Sequence, residues 1–203
     1  MKNLYSDEAF TGLEAAIVLI AFVVVAAVFS YVVLGAGFFT SQTAQATVHT
    51  GVSQASSSME LVGNVYGVQG ATNLRYVNVT IALTAGGTPM DVSSMVVSYT
   101  DNNGGHNANV LPSNADDLLD CGTITTADHT QADIEWCIGQ KINNVTAGTM
   151  LDNNAQMVLV VGMPSDTASP NTKFSINLQP SVGAVLPIAR TIPGGLTAVQ
   201  PLY

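Results

Sequence analysis

Hydrophobic positions divide the chain into two parts with different periods. Residues 15–39 are apolar except for Ser30, the Tyr31 hydroxyl and two glycines. Because these apolar residues are nearly continuous, they predict a helix whose every face lies away from water. About 25 helical residues extend about 37 Å, which is enough to cross a hydrocarbon layer of about 30 Å. The first part is therefore predicted to be covered by lipid or by other helices.

Helical periodicity continues beyond the apolar run. Small polar residues follow it, and apolar residues recur among them at spacings of three or four: Ala44, Val48, Val52, Ala55, Met59 and Val62. Thr11 and Glu14 have the Thr-x-x-Glu form of a capping box, which favours a helix start near Thr11. We predict one helix from about residue 11 to about residue 60, loosened at Gly35 and Gly37.

From Leu61 onward the period changes to two. Val77, Val79, Ile81 and Leu83 alternate with Tyr76 and other less apolar residues, as in a strand with one buried face. Similar runs cover residues 92–100, 121–126, 133–138, 156–163, 173–178 and 185–191. Turn-forming clusters at 85–89, 101–105, 153–154 and 164–166 lie between them. Residues 61–203 thus predict seven or eight strands, and the fold class is α+β: a long N-terminal hydrophobic helix followed by an antiparallel, Ig-like β-sandwich head.

Composition narrows the range of partners. Charged residues make up 9% of the 203 positions, and five basic against fourteen acidic residues give a net charge of −9. An acidic surface without a basic stripe repels polyanions, so nucleic-acid binding is not expected. Such a surface suits an external medium. If the head is extracellular, Cys121 and Cys137 could form a disulfide that contributes about 3 kcal/mol; the alternative is two buried free thiols.

Three kinds of N-terminal segment could contain such an apolar run. A secretory signal has a shorter apolar region, and a plain single-pass anchor gives no role to the polar leader or to Glu14. The string Ala9-Phe10-Thr11-Gly12-Leu13-Glu14 resembles the processing site of type IV pilin-like precursors, and it most resembles that of archaellins, the archaeal flagellins. The stretch 186–193, Leu-Pro-Ile-Ala-Arg-Thr-Ile-Pro, is similar to the Arg-Thr-x-Pro end of archaellins. The chain differs from the family pattern in having Ala9 where Gly is usual and a less basic leader.

This resemblance implies a filament subunit for swimming motility. Residues 1–9 would be a leader that a prepilin-type signal peptidase removes between Ala9 and Phe10. Residues 10–60 would span the cytoplasmic membrane before assembly and form the filament core with other copies afterwards, and residues 61–203 would be extracellular. Archaellum assembly and motor machinery would be further partners. Glu14 would pair with the amino group of Phe10 on an adjoining copy; alternatively it acts as a helix cap.

Candidate sites for chemistry are few. The sequence contains no P-loop, dinucleotide fingerprint, HExxH or CxxC motif, so we expect neither catalysis nor a cofactor. A hard cation could use the acidic loops, for which the candidates are Asp101, Asn103, Asp116, Asp117 and Asp120; a solvated loop region is the alternative. Zinc on Cys121, His129 and Cys137 would match no standard spacing.

Two sequons, Asn78-Val79-Thr80 and Asn144-Val145-Thr146, predict N-glycosylation at Asn78 and Asn144. The sequence alone therefore indicates an archaellar filament subunit. A subunit of a non-rotating adhesive pilus and a membrane-anchored β-sandwich binding protein remain as alternatives. A secreted hydrolase has no catalytic constellation to support it.

Overall fold

The computed structural model describes residues 4–114, 117–143 and 148–203, with the side chains of residues 4–11, 53, 55 and 56 excluded. The chain forms two compact units, one up to Thr50 and one from Gly51 onward. Helix α1 covers Leu4–Ser56 and supplies almost all of the first unit. The second unit is the head.

Helix α1 begins earlier than the sequence predicts. It starts at Leu4, and Thr11 lies inside it. An N–H group in a helix interior donates to the carbonyl four residues back, so Thr11 is not at the N-cap. The predicted helix start near Thr11 is therefore wrong for the uncleaved chain. The predicted loosening at Gly35 and Gly37 is also absent from the described helix, which runs through both glycines.

The helix ends at Ser56, four residues before the predicted end. Met59–Leu61 forms strand β1 instead. The Ser58 carbonyl accepts hydrogen bonds from the Thr84 N–H at 3.0 Å and the Thr84 hydroxyl at 3.2 Å, and Met59 is buried in the head core. The helical spacing that includes Met59 is therefore misleading, because the head sheet captures this segment.

The head contains twelve described strands and one short helix. Helix α2 covers Gly122–Thr126, and a 3-10 turn covers Val92–Ser94. After β1, the strands are β2 (Val65–Gln69), β3 (Leu74–Leu83), β4 (Met90–Asp91), β5 (Val96–Asp101), β6 (His106–Pro112), β7 (Glu135–Ile142), β8 (Met150–Leu151), β9 (Gln156–Gly162), β10 (Lys173–Gln179), β11 (Leu186–Thr191) and β12 (Val199–Leu202).

The main sheet follows the order β11-β10-β5-β6-β7-β9-β3-β2-β12, and β1 joins β3 beside this path. Pairing is antiparallel except between β6 and β7, where two parallel residue pairs join the two halves. The path ends meet where the Thr191 N–H donates to the Tyr203 carbonyl at 2.8 Å. One apolar core contains side chains from both halves, among them Val97, Tyr99, Ile176, Val79, Ile81 and Leu159. The predicted class, a long helix followed by a β-sandwich head, is confirmed.

Agreement with the predicted strands is uneven. The strong alternating runs correspond to β3, β7, β9, β10 and β11, whereas residues 92–100 divide into the 3-10 turn and β5. The strand predicted for residues 121–126 is wrong. There, the Thr125 hydroxyl donates to the Cys121 carbonyl at 3.0 Å and the Ala127 N–H donates to the Thr123 carbonyl at 3.0 Å, which stabilises α2.

Candidate assembly surface

The surface of α1 is apolar and uncovered. Every residue from 12 to 52 is exposed, and the exposed fractions of Phe22 and Phe29 are 70% and 69%. Gly12–Val52 is long and apolar enough to cross a membrane, judged by length and composition. Exposed apolar patches larger than a few hundred Å² mark interaction surfaces in proteins. The helix is therefore the candidate assembly surface.

The polar half of α1 carries a feature that the sequence reasoning missed. Four threonine hydroxyls donate to carbonyls of the preceding turn: Thr40 to Ala36 at 2.8 Å, Thr43 to Phe39 at 2.9 Å, Thr47 to Thr43 at 2.9 Å and Thr50 to Ala46 at 2.9 Å. Their three- and four-residue spacing is visible in the sequence and could have indicated it. This side of the helix satisfies its own hydroxyl donors.

The predicted processing residues lie in α1. The backbone at Ala9 and Phe10 is helical, and their side chains lie outside the described part. Glu14 is exposed on the helix surface. Among the described residues, Glu14 forms no ion pair; an ion pair in that part of the chain joins Arg75 and Asp128. Cleavage and the role of Glu14 therefore stay predictions.

A disulfide joins the two cysteines. Cys121 and Cys137 have their Cα atoms 5.6 Å apart. Cys137 forms a small second core with Ile124 of α2 and Val160 of β9, and Cys121 and Tyr76 pack against it. The bond thus fixes α2 and its flanking loop to the outer face of the sheet. It also removes both thiols from the zinc alternative, which is wrong.

Asp101 organises the turn between β5 and β6. Its Oδ1 accepts from the Asn103 N–H at 2.8 Å and the Gly105 N–H at 2.7 Å, and its Oδ2 accepts from the Tyr99 hydroxyl at 2.8 Å and the Thr167 hydroxyl at 2.5 Å. Burial raises the pKa of Asp101, but the hydroxyl and amide hydrogen bonds outweigh it and hold the pKa below its ordinary value. Burial and the neighbouring Asp101 carboxylate also raise the pKa of Tyr99.

The candidate cation ligands have other uses where the structure describes them. Asp117 accepts from the Leu119 N–H and Asp120 from the Gly122 N–H, both at 3.0 Å. The Asn103 side chain donates to the Thr172 hydroxyl at 2.7 Å. Asp116 lies outside the described residues. Within the described residues, no three His, Cys, Asp or Glu side chains are placed to hold a metal.

The structure describes the sequon at Asn78. Asn78 lies on β3, opposite Tyr66 of β2 and Val160 of β9. It is half-buried, and its Oδ1 is buried without a hydrogen-bond partner in the described part of the head. Asn144 lies outside the described residues. Glycosylation at both positions stays a prediction.

Comparison with known proteins places these features in a family. The model of archaeal-type flagellin matches residues 9–190. "Probable flagellin 1" of Archaeoglobus fulgidus is 37% identical over 210 residues, covering 100% of this chain and 98% of the relative. The 24 kDa flagellin of Methanospirillum hungatei is 88% identical over 32 residues, which are 16% of this chain and 100% of that sequence.

A solved filament structure is also similar. The archaeal flagellum of Methanospirillum hungatei strain JF1 superposes with a TM-score of 0.66 at 28% sequence identity, covering 94% of this chain and 98% of that one. The family match covers α1 from Ala9 onward and the head as far as Arg190 in β11. The chain belongs to the archaeal-type flagellin family.

Proposed function

We propose that this flagellin is the structural subunit of an archaeal flagellar filament used for swimming, and that it polymerises through α1. The observation that carries the proposal is the uninterrupted exposure of residues 12–52 on a helix long enough to cross a membrane. Such a helix is stable where lipid or other apolar helices cover it. Copies of the same chain are the cover that a filament provides.

Assembly exchanges one apolar environment for another. Before assembly, lipid of the cytoplasmic membrane covers residues 15–39; afterwards, the same segments of neighbouring copies cover them in a central bundle. The segment therefore never needs to enter water. Returning it to water would cost about 1.5 to 3 kcal/mol for each larger apolar side chain. We therefore expect filaments that do not lose subunits, with heads on the extracellular side.

Leader removal prepares the subunit for assembly. In this proposal a prepilin-type signal peptidase cuts between Ala9 and Phe10, and the archaellum assembly machinery then adds the subunit to a filament that the motor turns. Intact-mass measurement on filaments should show the loss of residues 1–9. A chain that retains Met1 in the filament would contradict the proposed cut, and normal swimming after deletion of the gene would favour an adhesive pilus.

Glu14 pairs, in this proposal, with the new amino group of Phe10 on an adjoining copy. A carboxylate at the edge of an apolar segment costs several kcal/mol unless it is paired or neutralised. Capping is a weaker alternative in the uncleaved chain, because α1 begins at Leu4. Glu14→Gln keeps hydrogen-bonding capacity and loses the charge. We expect cleaved, membrane-inserted subunits that fail to polymerise, whereas normal filament yield would contradict the pairing.

The head has a non-catalytic role in this proposal. It forms the outer surface of the filament, where glycans on Asn78 and Asn144 would shield it from the medium. The disulfide holds α2 against the sheet, and Asp101 holds the turn after β5. Mass analysis of head peptides would detect the glycans, and unmodified peptides at both sequons would exclude them.

A further inference from the structure

The turn between β5 and β6 contains Asn103-Gly104, the one Asn-Gly pair in the sequence. Asparagine followed by glycine is the pair most prone to deamidation, because glycine has no side chain to shield its backbone nitrogen. The Gly104 nitrogen loses its proton and bonds to Cγ of Asn103, and Nδ2 takes up a proton and leaves as ammonia. Water then opens the cyclic imide at either carbonyl, which gives aspartate or isoaspartate. By its sequence, this turn carries the most reactive amide of the chain.

In the folded head, the loop of residues 163–172 between β9 and β10 holds the Asn103 side chain. Its Nδ2 donates to the Thr172 hydroxyl at 2.7 Å, the Thr167 carbonyl at 3.0 Å and the Ser169 hydroxyl at 3.1 Å. A carbonyl oxygen only accepts, so the Thr167 carbonyl identifies which amide atom is the nitrogen. Thr172 is buried, although Asn103 belongs to the exposed turn. The leaving group of the reaction is thus the atom that the loop binds.

The backbone of the turn is held as well. The Asn103 N–H donates to Oδ1 of Asp101 at 2.8 Å, and the Gly105 N–H donates to the same oxygen at 2.7 Å. Cyclisation needs Cγ of Asn103 at bonding distance from the Gly104 nitrogen, and it releases Nδ2 from all three of its acceptors. Hydrogen bonds that must break before a reaction make it proceed from a locally open state. Deamidation therefore requires the turn to open first.

We propose that the β9–β10 loop protects Asn103 from deamidation, and that Asn103 is the site at which the head is modified when this contact opens. The product does not fit the same place. A carboxylate oxygen in the position of Nδ2 lacks the donor and sets a negative charge against the Thr167 carbonyl, in the same turn as the Asp101 carboxylate. Isoaspartate also adds a carbon to the main chain. The inference depends on the contacts of the head and not on the proposed function; in a filament that keeps its subunits, modified heads accumulate.

The test follows the reaction in the full-length chain dispersed in detergent. Peptide mass analysis after incubation at mildly alkaline pH gives the rate at which Asn103 is converted from an amide to an acid. Ser169→Ala/Thr172→Val removes both hydroxyl acceptors. Thr84→Val is the matched control, because it removes a hydroxyl that is hydrogen-bonded just after β3 instead. Trp136 fluorescence shows whether each head is folded.

The folded double variant should deamidate faster than folded wild type by on the order of tenfold, since each lost hydrogen bond favours opening of the turn. The control should react as wild type does. In denaturant all three chains should react at the same fast rate, because the sequence around Asn103 is identical in each. If the double variant does not fold, Ser169→Ala alone should give a smaller increase.

Two results would overturn the protection of Asn103. One is an equal rate for the folded and the denatured wild-type chain, which would show that the fold does not slow the reaction. The other is a folded acceptor variant that reacts no faster than wild type or no faster than the Thr84→Val control, which would show that the β9–β10 loop is not the cause.

Discussion

The helix and the head handle apolar side chains in opposite ways. Phe22 and Phe29 of α1 are 70% and 69% exposed, whereas Trp136, Leu159 and Ile176 in the head are buried, with exposed fractions of 1% or less. The head encloses its core within one chain because its strands fold into two facing halves. A single helix has no second layer, so its apolar surface must be covered from outside. The head therefore buries its own core, and the helix depends on lipid or on other copies for its cover.

A charge in the apolar part of the helix should abolish assembly and leave the head intact. Val24→Asp places a carboxylate in the middle of the apolar run, at a cost of about 2.5 to 3.5 kcal/mol per subunit in hydrocarbon. We expect loss of sedimentable filaments. Trp136 fluorescence should be unchanged, because the head core is separate. Val24→Ile is the matched control and should assemble normally; filaments of normal yield from the aspartate variant would show that this surface is not covered.

A cavity in the head should have the reverse effect. Leu159 is fully buried, and Leu159→Ala should lower the free energy of unfolding of the head by about 2 to 5 kcal/mol. The exposed Leu111, at 60%, is the control, and Leu111→Ala should change it by less than about 0.5 kcal/mol. Denaturation of detergent-dispersed chains, followed by Trp136 fluorescence, measures both. Equal effects of the two substitutions would contradict the assigned core.

The fold could be predicted where the pattern is local. A long apolar run specifies α1, and alternation specifies β3, β9 and β10. Strand β6 was missed because its residues are mostly exposed, and β12 because it is short and contains Pro201. Packing between distant segments left no local signal. A Cβ on Gly183 would collide with the Ser57 carbonyl oxygen, and nothing in the sequence of either segment indicates that contact.

The candidate site shows the same limit. The sequence located the apolar surface and the cysteine pair, since both depend on residue type and spacing. It located the turn at residues 101–105 but not the hydrogen bonds that Asp101 accepts there, because the Thr167 hydroxyl comes from a loop far along the chain. The spacing of the helix threonines is visible in the sequence, but the rotamers that bond the Thr43 and Thr47 hydroxyls to carbonyls within the helix are not.

The junction where the helix enters the head gives a third test. Gly183 has φ of +114° and lies against Ser57, the residue that follows α1. Gly183→Ala should lower the free energy of unfolding of the head by about 1 to 3 kcal/mol, because alanine is strained at this positive φ. The added methyl group would also push the loop away from Ser57. A methyl group added at Gly195 would have no atom within 4 Å, so Gly195→Ala is the control. Equal unfolding midpoints for the two variants would contradict this close approach.

The Asp101 turn should respond more weakly to substitution. Asp101→Asn should lower the free energy of unfolding by on the order of 1 to 2 kcal/mol at neutral pH. Both carboxylate oxygens of Asp101 accept hydrogen bonds, and the side-chain nitrogen of asparagine cannot accept those of the oxygen it replaces. Since the folded-state pKa lies below the ordinary value of 3.8, the carboxylate's contribution is present above that pH and is lost as pH falls through the folded-state pKa. The difference from wild type should therefore shrink in acid. Asp120→Asn, on an exposed carboxylate, is the control, and a difference that does not depend on pH would contradict the assignment.

An image of the filament at side-chain resolution tests the contrast between helix and head most directly. The exposed fractions of Phe22, Phe29 and Val33, which are 70%, 69% and 52% in the single chain, should fall to the level of the head's buried core, through contacts with the helices of other copies. The head core around Leu159 should be unchanged. A filament in which residues 12–52 face solvent, or in which heads exchange core strands to hold the polymer together, would contradict the account.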